Sequence, residues 1–183
     1  MTYEIDIAGM KRELPICKVT DDLYIGAFIM FGDVDITVHA AEELLKKVGE
    51  FDYLLAPEAK AIPLLYEMAR QSGKKYFVAR KGEKAYMSEP FKVEVRSITT
   101  LHVQTLVLDK KDADELKGKR VVIVDDVIST GESLRAVEEL CNAAGAQITA
   151  KCAVLAEGDA FNRTDITVLQ MLPLFNADGS IKG

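Results

Sequence analysis

Four consecutive apolar residues, Val121, Val122, Ile123 and Val124, have no polar interruption and predict a strand buried on both faces. The run gives way to two adjacent carboxylates, Asp125 and Asp126, and then to the small polar residues Ser129, Thr130 and Gly131. Further on, Leu134, Val137, Leu140, Cys141 and Ala144 recur at the spacing of one helix face, and Gly145 ends the pattern. The predicted unit is a strand ending in charge, a loop of small residues and a helix.

Similar units fill most of the chain. A helical stripe at 37–48 (Val38, Ala41, Leu44, Leu45, Val48) precedes an apolar run at 51–56. That run leads through Pro57, Glu58, Ala59 and Lys60 into a helix expected over 61–71, with Pro63 in its first turn, where the missing N–H costs nothing. A strand is predicted at 75–79, two β-like runs at 92–95 and 105–108, a charged helix at 110–117, and strands at 148–156 and 166–171. Strands alternating with helices imply an α/β fold with a parallel sheet and right-handed crossovers. Residues 1–35 lack a helical period. Their short apolar runs are broken by Gly9, Pro15, Gly26 and Gly32, which predicts short strands and turns.

At 183 residues the chain is expected to form one domain. The 29 acidic residues outnumber the 23 basic ones, giving a formal charge of −6 that argues against a broad nucleic-acid footprint. No apolar run approaches the length of a membrane span, and the first residues carry no secretory pattern, so no membrane partner and a cytoplasmic location are expected. Cys17, Cys141 and Cys152 have no paired metal spacing and read as thiols of a reducing compartment.

Local charge carries the chemistry. A loop of small residues that opens a helix presents unpaired N–H groups at the positive end of the helix dipole, a site for a phosphate. Two carboxylates just before it suit sugar hydroxyls or a divalent cation. Arg80, Lys81 and Lys84 follow the strand at 75–79 and form a second anion site, and Lys60 adds a cation at the end of the strand at 51–56. A ligand combining a phosphate, vicinal hydroxyls and a metal-bound diphosphate would satisfy all of these groups. One such ligand is 5-phosphoribosyl-1-diphosphate (PRPP).

The stretch from Val121 to Ser133 resembles the PRPP-binding signature of the type I phosphoribosyltransferases, and the Arg80-Lys-x-x-Lys84 segment resembles its counterpart in adenine phosphoribosyltransferases. The resemblance spans roughly residues 37–175, including the tail Leu172-Pro-Leu-Phe175. It implies a Rossmann-like parallel sheet flanked by helices, a small N-terminal hood at 1–35, a flexible hairpin loop and a homodimer. The implied reaction transfers the phosphoribosyl group from Mg²⁺-bound PRPP to a purine, most readily adenine. In this reading Asp125 and Asp126 are the catalytic carboxylates, meeting the ribose hydroxyls and, indirectly, the metal. Ser129, Thr130, Gly131, Glu132 and Ser133 hold the 5-phosphate; Glu58, Ala59, Lys60, Arg80, Lys81 and Lys84 meet the diphosphate. Phe28, Val127 and Glu157 contact the base, with Met30 and Phe31 as further stacking candidates.

Two departures stand out. Adenine enzymes carry a Glu-Tyr pair in the closing loop, where this chain has Thr99, Thr100, Leu101 and His102. Glu132 replaces a small residue: Ser129-x-x-Glu132 has the spacing of a capping box, which would bring a carboxylate to the phosphate, whereas a solvent-facing Glu132 would not. The alternatives are a PRPP-binding regulator with weak or no turnover, or a transferase for xanthine, guanine or hypoxanthine.

Overall fold

A computed structural model describes residues 1–96 and 103–182. Its centre is a five-stranded, wholly parallel sheet in the order β10-β9-β8-β4-β5. The strands are β4 (Tyr53–Pro57), β5 (Lys75–Ala79), β8 (Arg120–Ile128), β9 (Gln147–Glu157) and β10 (Thr167–Leu172). The chain runs outward from β4 to β5, then returns to the opposite side of β4 to lay down β8. The strand order therefore reverses between β4 and β8, and in open α/β sheets ligands bind outside the carboxyl ends of the strands at such a point.

The two faces of the sheet carry separate cores. One packs against α1 (Val34–Leu45) and α2 (Ile62–Ser72), burying Ile36, Leu44, Leu64 and Met68 with Leu54, Val122 and Val154. The other packs against α3 (Lys110–Leu116), α4 (Glu132–Ala143) and the antiparallel hairpin β6–β7 (Pro90–Arg96, Val103–Asp109), burying Leu106, Leu108, Leu134, Val137 and Leu140 with Leu55, Val121 and Ile123. Alternate residues of β8 thus serve both cores, which explains its uninterrupted apolar run.

The start of α1 corrects the expected 37–48. Asp33 caps the helix, its carboxylate accepting from the N–H of Ile36 at 3.3 Å, and α1 begins three residues earlier than the apolar stripe suggested. The buried face is therefore Ile36, Thr37, Ala40, Ala41 and Leu44, while Val38 is exposed. Arg12 grips the same carboxylate through Nε and Nη2 at 2.6 and 2.9 Å and so ties the N-terminal region to α1.

The N-terminal region forms β1 (Thr2–Ile7), β2 (Met10–Lys18) and β3 (Tyr24–Gly26), a sheet completed by β11 (Leu174–Phe175) from the other end of the chain. The hood is thus built from both ends of the chain, not from residues 1–35 alone. Phe175 is fully buried and meets Tyr3 edge-on at 5.0 Å between ring centroids. Gly26 leaves room for Leu172, whose Cδ1 would stand 3.1 Å from a Cβ there, while Phe175 at 3.6 Å would be in ordinary contact.

Truncating Phe175 removes the main apolar contact of the fourth hood strand. Phe175→Ala is expected to destabilise the protein by about 3–5 kcal/mol in urea denaturation. A loss below about 1 kcal/mol would mean that the tail does not anchor the hood.

Candidate active site

The site follows from the way β8 leaves β4. The two strands pair at Tyr53–Val121, Leu54–Val122 and Leu55–Ile123, and that pairing goes no further, while β8 stays paired to β9 as far as Ile128. Beyond Ile123 a crevice opens on the β4 side of β8. The expectation that β8 ends at the carboxylates is therefore corrected: the length of β9 carries the ladder through Asp125, Asp126, Val127 and Ile128, and both carboxylates lie within the strand.

Asp125 and Asp126 are 8% and 6% exposed, so two adjacent carboxylates are buried at the mouth of an apolar strand. Asp125 Oδ1 accepts from the N–H of Asp126 at 2.9 Å. Burial, and then the neighbouring charge of Asp126, hold the Asp125 carboxyl well above the usual carboxylate range. Oδ2 of Asp126 is buried and has no hydrogen-bond partner among the described residues. A buried acceptor without a donor is costly, and a ligand hydroxyl would supply the donor.

Three adjoining cavities meet at this pair. The first, of about 290 Å³, lies under the hood and is walled by Phe28, Val127 and Leu172, with Lys60, Asp126, Ser129 and Glu157 as its polar groups. The second, of about 200 Å³, is polar and is lined by Glu58, Ala59, Lys60, Lys81, Asp125, Asp126 and Ser133. The third, of about 90 Å³, lies over the loop Ser129, Thr130 and Gly131, closed by Asp125, Ser133 and Leu134. Val127 borders all three, and Lys60 stands between the first and second.

The loop after β4 is organised by Glu58. Its Oε1 accepts from the N–H of Lys81 at 2.6 Å, and Arg80 Nε lies 2.9 Å from Oε2 without the alignment of a hydrogen bond. Glu58 therefore fastens the Arg80 segment to the tip of β4. Arg80 also bridges to Val107 of the hairpin through both of its backbone groups. Of the four cations in the sequence reading, Lys60 and Lys81 line the polar cavity, whereas Arg80 and Lys84 do not.

The loop after β8 ends at Gly131, whose φ of +81° makes it the residue before α4. Helix α4 therefore starts at Glu132 with Gly131 at its N-cap position, so Ser129 is not its cap and the Ser129-x-x-Glu132 spacing does not frame the helix start. Glu132 lies outside the lining of the phosphate-sized cavity. Phe28 is buried against the first cavity; Met30 is buried elsewhere and Phe31 is exposed, so of the three stacking candidates only Phe28 borders that space. Thr99, Thr100 and His102 fall outside the described residues. Leu172, Ile25 and Gly26 border the first cavity and were not among the residues expected to contact the base, because a strand end and a hood turn carry no chemical signal in the sequence.

Comparison with known proteins agrees with this geometry. The chain is 26% identical over 168 residues to an adenine phosphoribosyltransferase of Thermosipho africanus, covering 88% of this chain and 93% of that one. It is 29% identical over 152 residues to a hypoxanthine/guanine phosphoribosyltransferase of Methanosarcina mazei, covering 80% and 77%. Its fold matches the crystal structure of an adenine phosphoribosyltransferase from Thermoanaerobacter pseudethanolicus with a TM-score of 0.66 at 24% identity, covering 93% and 95%. The family model described as a phosphoribosyl transferase domain matches residues 34–168, a span that holds both loops at the strand reversal and the buried acidic pair, and the chain belongs to this family.

Proposed function

We propose that the protein transfers the 5-phosphoribosyl group of PRPP to adenine, releasing diphosphate. The observation that carries this reading is the junction of three cavities of different chemistry around one buried carboxylate pair. The apolar cavity suits a planar base between Phe28, Val127 and Leu172. The polar one suits a diphosphate beside Lys60 and Lys81, and the loop Ser129–Gly131 suits a 5-phosphate. The ribose would then lie over Asp125 and Asp126, with a hydroxyl donating to the unpartnered Oδ2 of Asp126.

In this arrangement the protein acts mainly by positioning and by charge. The phosphate loop and the acidic pair fix both ends of the ribose, so that C1 faces the base cavity. As the bond to diphosphate lengthens, positive charge develops at the ribosyl centre, and the adjacent carboxylates stabilise it. Lys60 and Lys81 meet the departing diphosphate. Glu157 lines the apolar cavity, and its carboxylate offers an acceptor to the exocyclic amino group of adenine. The hood and Phe28 limit access of water, which would otherwise trap the ribosyl centre.

The donor set also fits Mg²⁺. The donors that line the polar cavity beside Lys60 and Lys81 are the carboxylate oxygens of Glu58, Asp125 and Asp126. That suits an ion held largely by substrate phosphates, with Asp125 and Asp126 contributing indirectly. When bound, Mg²⁺ would neutralise charge on the diphosphate.

Diphosphate release from PRPP and Mg²⁺ in the presence of adenine, hypoxanthine, guanine, xanthine or orotate tests the proposal. Release with adenine in clear preference is the expected outcome; release with another base alone would reassign the substrate, and release with none would remove the enzymatic reading. Lys81→Ala is expected to raise the KM for PRPP about ten-fold, the loss of roughly one charge-assisted contact, while the KM for adenine changes little. An unchanged PRPP KM would take Lys81 out of the diphosphate site.

The acidic pair also predicts a pH dependence. Because the folded state raises the Asp125 pKa, the native protein binds its proton more tightly than the unfolded chain. Stability is therefore lost as pH rises from about 4 towards 8. Asp125→Asn keeps an acceptor for the Asp126 N–H and removes this penalty. In metal-free buffer its Tm should exceed that of the wild type by a margin that grows from pH 4 to pH 8, while PRPP binding is lost. A constant margin would show that the carboxyl is not perturbed.

A further inference from the structure

We infer that Arg163 is a positioning residue for the 5-phosphate loop, an inference that rests on the PRPP reading above. Arg163 lines none of the three cavities, yet it stands against the loop from behind. A Cβ at Gly131 would lie 2.6 Å from Arg163 Nη1, so the guanidinium occupies the space that a side chain at Gly131 would fill. The positive φ favours glycine at this position, and a side chain there would have to displace the guanidinium packed on it.

The Gly131 carbonyl accepts from the N–H of Arg135 at 2.9 Å, which ties the end of the loop to α4, while the loop side chains are held less closely. Ser129 and Thr130 are exposed, no side chain caps α4, and Thr130 Oγ1 accepts from the N–H of Glu132 only at 3.4 Å. Arg163, by contrast, is held firmly. Its Nε and Nη2 donate to the two oxygens of Asp165 at 2.9 and 2.8 Å, a two-point grip that fixes the guanidinium plane and turns Nη1 towards Gly131. Asp165 is held in turn by Lys151 of β9, whose ammonium also binds Glu138 of α4 at 2.6 Å. These contacts, first Arg163 and then Lys151, keep the Asp165 carboxyl far below the usual range, so it is ionised whenever the protein is folded near neutrality.

The cluster therefore runs from the β9–β10 connection through β9 to the body of α4, and its tip rests on the residue where the loop becomes helix. Two cations and two carboxylates balance, so little net field reaches the phosphate site. The contribution is geometric: Arg163 backs the residue where the loop becomes helix and so helps to hold the loop N–H groups in the arrangement that receives a phosphate.

The test is steady-state kinetics of Arg163→Ala and Asp165→Asn. Both are expected to raise the KM for PRPP about ten-fold, with kcat and the KM for the base within about two-fold. Because the role is geometric, the dependence of the PRPP KM on ionic strength should match that of the wild type; a shallower dependence in Arg163→Ala would indicate a direct charge contact and overturn the positioning role. An unchanged PRPP KM, or an equal rise for the base, would also overturn it. Should Arg163→Ala fail to fold, Arg163→Met, which keeps the apolar stem, is read in the same way. Calorimetry with ribose 5-phosphate separates this inference from the reading beneath it: no binding by the wild type would sink both, whereas equal binding by wild type and variant would sink the inference alone.

Discussion

The structure turns on a parting of two strands. β8 pairs with β4 for three residues and then continues alone on that side, held by β9. Where β4 withdraws, the backbone of β8 and the carboxylates of Asp125 and Asp126 border open space instead of another strand. Every other part of the site is placed relative to this gap. The tip of β4 supplies the loop that lines the polar cavity, the continuation of β8 supplies the loop under the smallest cavity, and the hood closes the remaining side over the apolar one. The gap is a consequence of topology, because it lies where the strand order reverses.

Maintaining two carboxylates there has a cost that the rest of the fold absorbs. Asp125 is held above its ordinary range by burial and by its neighbour, and Asp126 keeps a buried oxygen without a donor. Such groups weaken a folded protein unless a ligand completes them, which is characteristic of binding sites. The compensating stability lies in the two cores on either face of the sheet, where Cys141 and Cys152 are also buried; burial pushes both thiols up to about 12 and leaves them inert as nucleophiles.

Much of the sheet could be read from the chain because its signals are local. The run 121–124, the stripe of α4 and the strand at 75–79 are each written in consecutive or periodic residues. The small-residue loop that opens α4 was legible for the same reason, since it is written in the consecutive residues Ser129, Thr130 and Gly131. Non-local features were not legible. That β8 continues past its carboxylates depends on the length of β9, and that the hood takes a strand from the C-terminal tail depends on pairing across some 150 residues. The start of α1 depends on the cap at Asp33, one residue whose effect outweighs the apolar stripe. Glu58 lines the polar cavity and also secures the Arg80 segment, a second role visible only once the tips of β4 and β5 are side by side. Arg163 carried no signal at all, because a loop arginine acquires meaning only from the glycine it rests against.

The most direct test of the account is a crystal structure of the protein with PRPP and Mg²⁺. The account predicts the ribose hydroxyls on Asp125 and Asp126, one of them donating to Oδ2 of Asp126, with the 5-phosphate over Ser129–Gly131 and the diphosphate beside Lys60 and Lys81. Ligand bound elsewhere, or bound with the acidic pair left uncontacted, would contradict it.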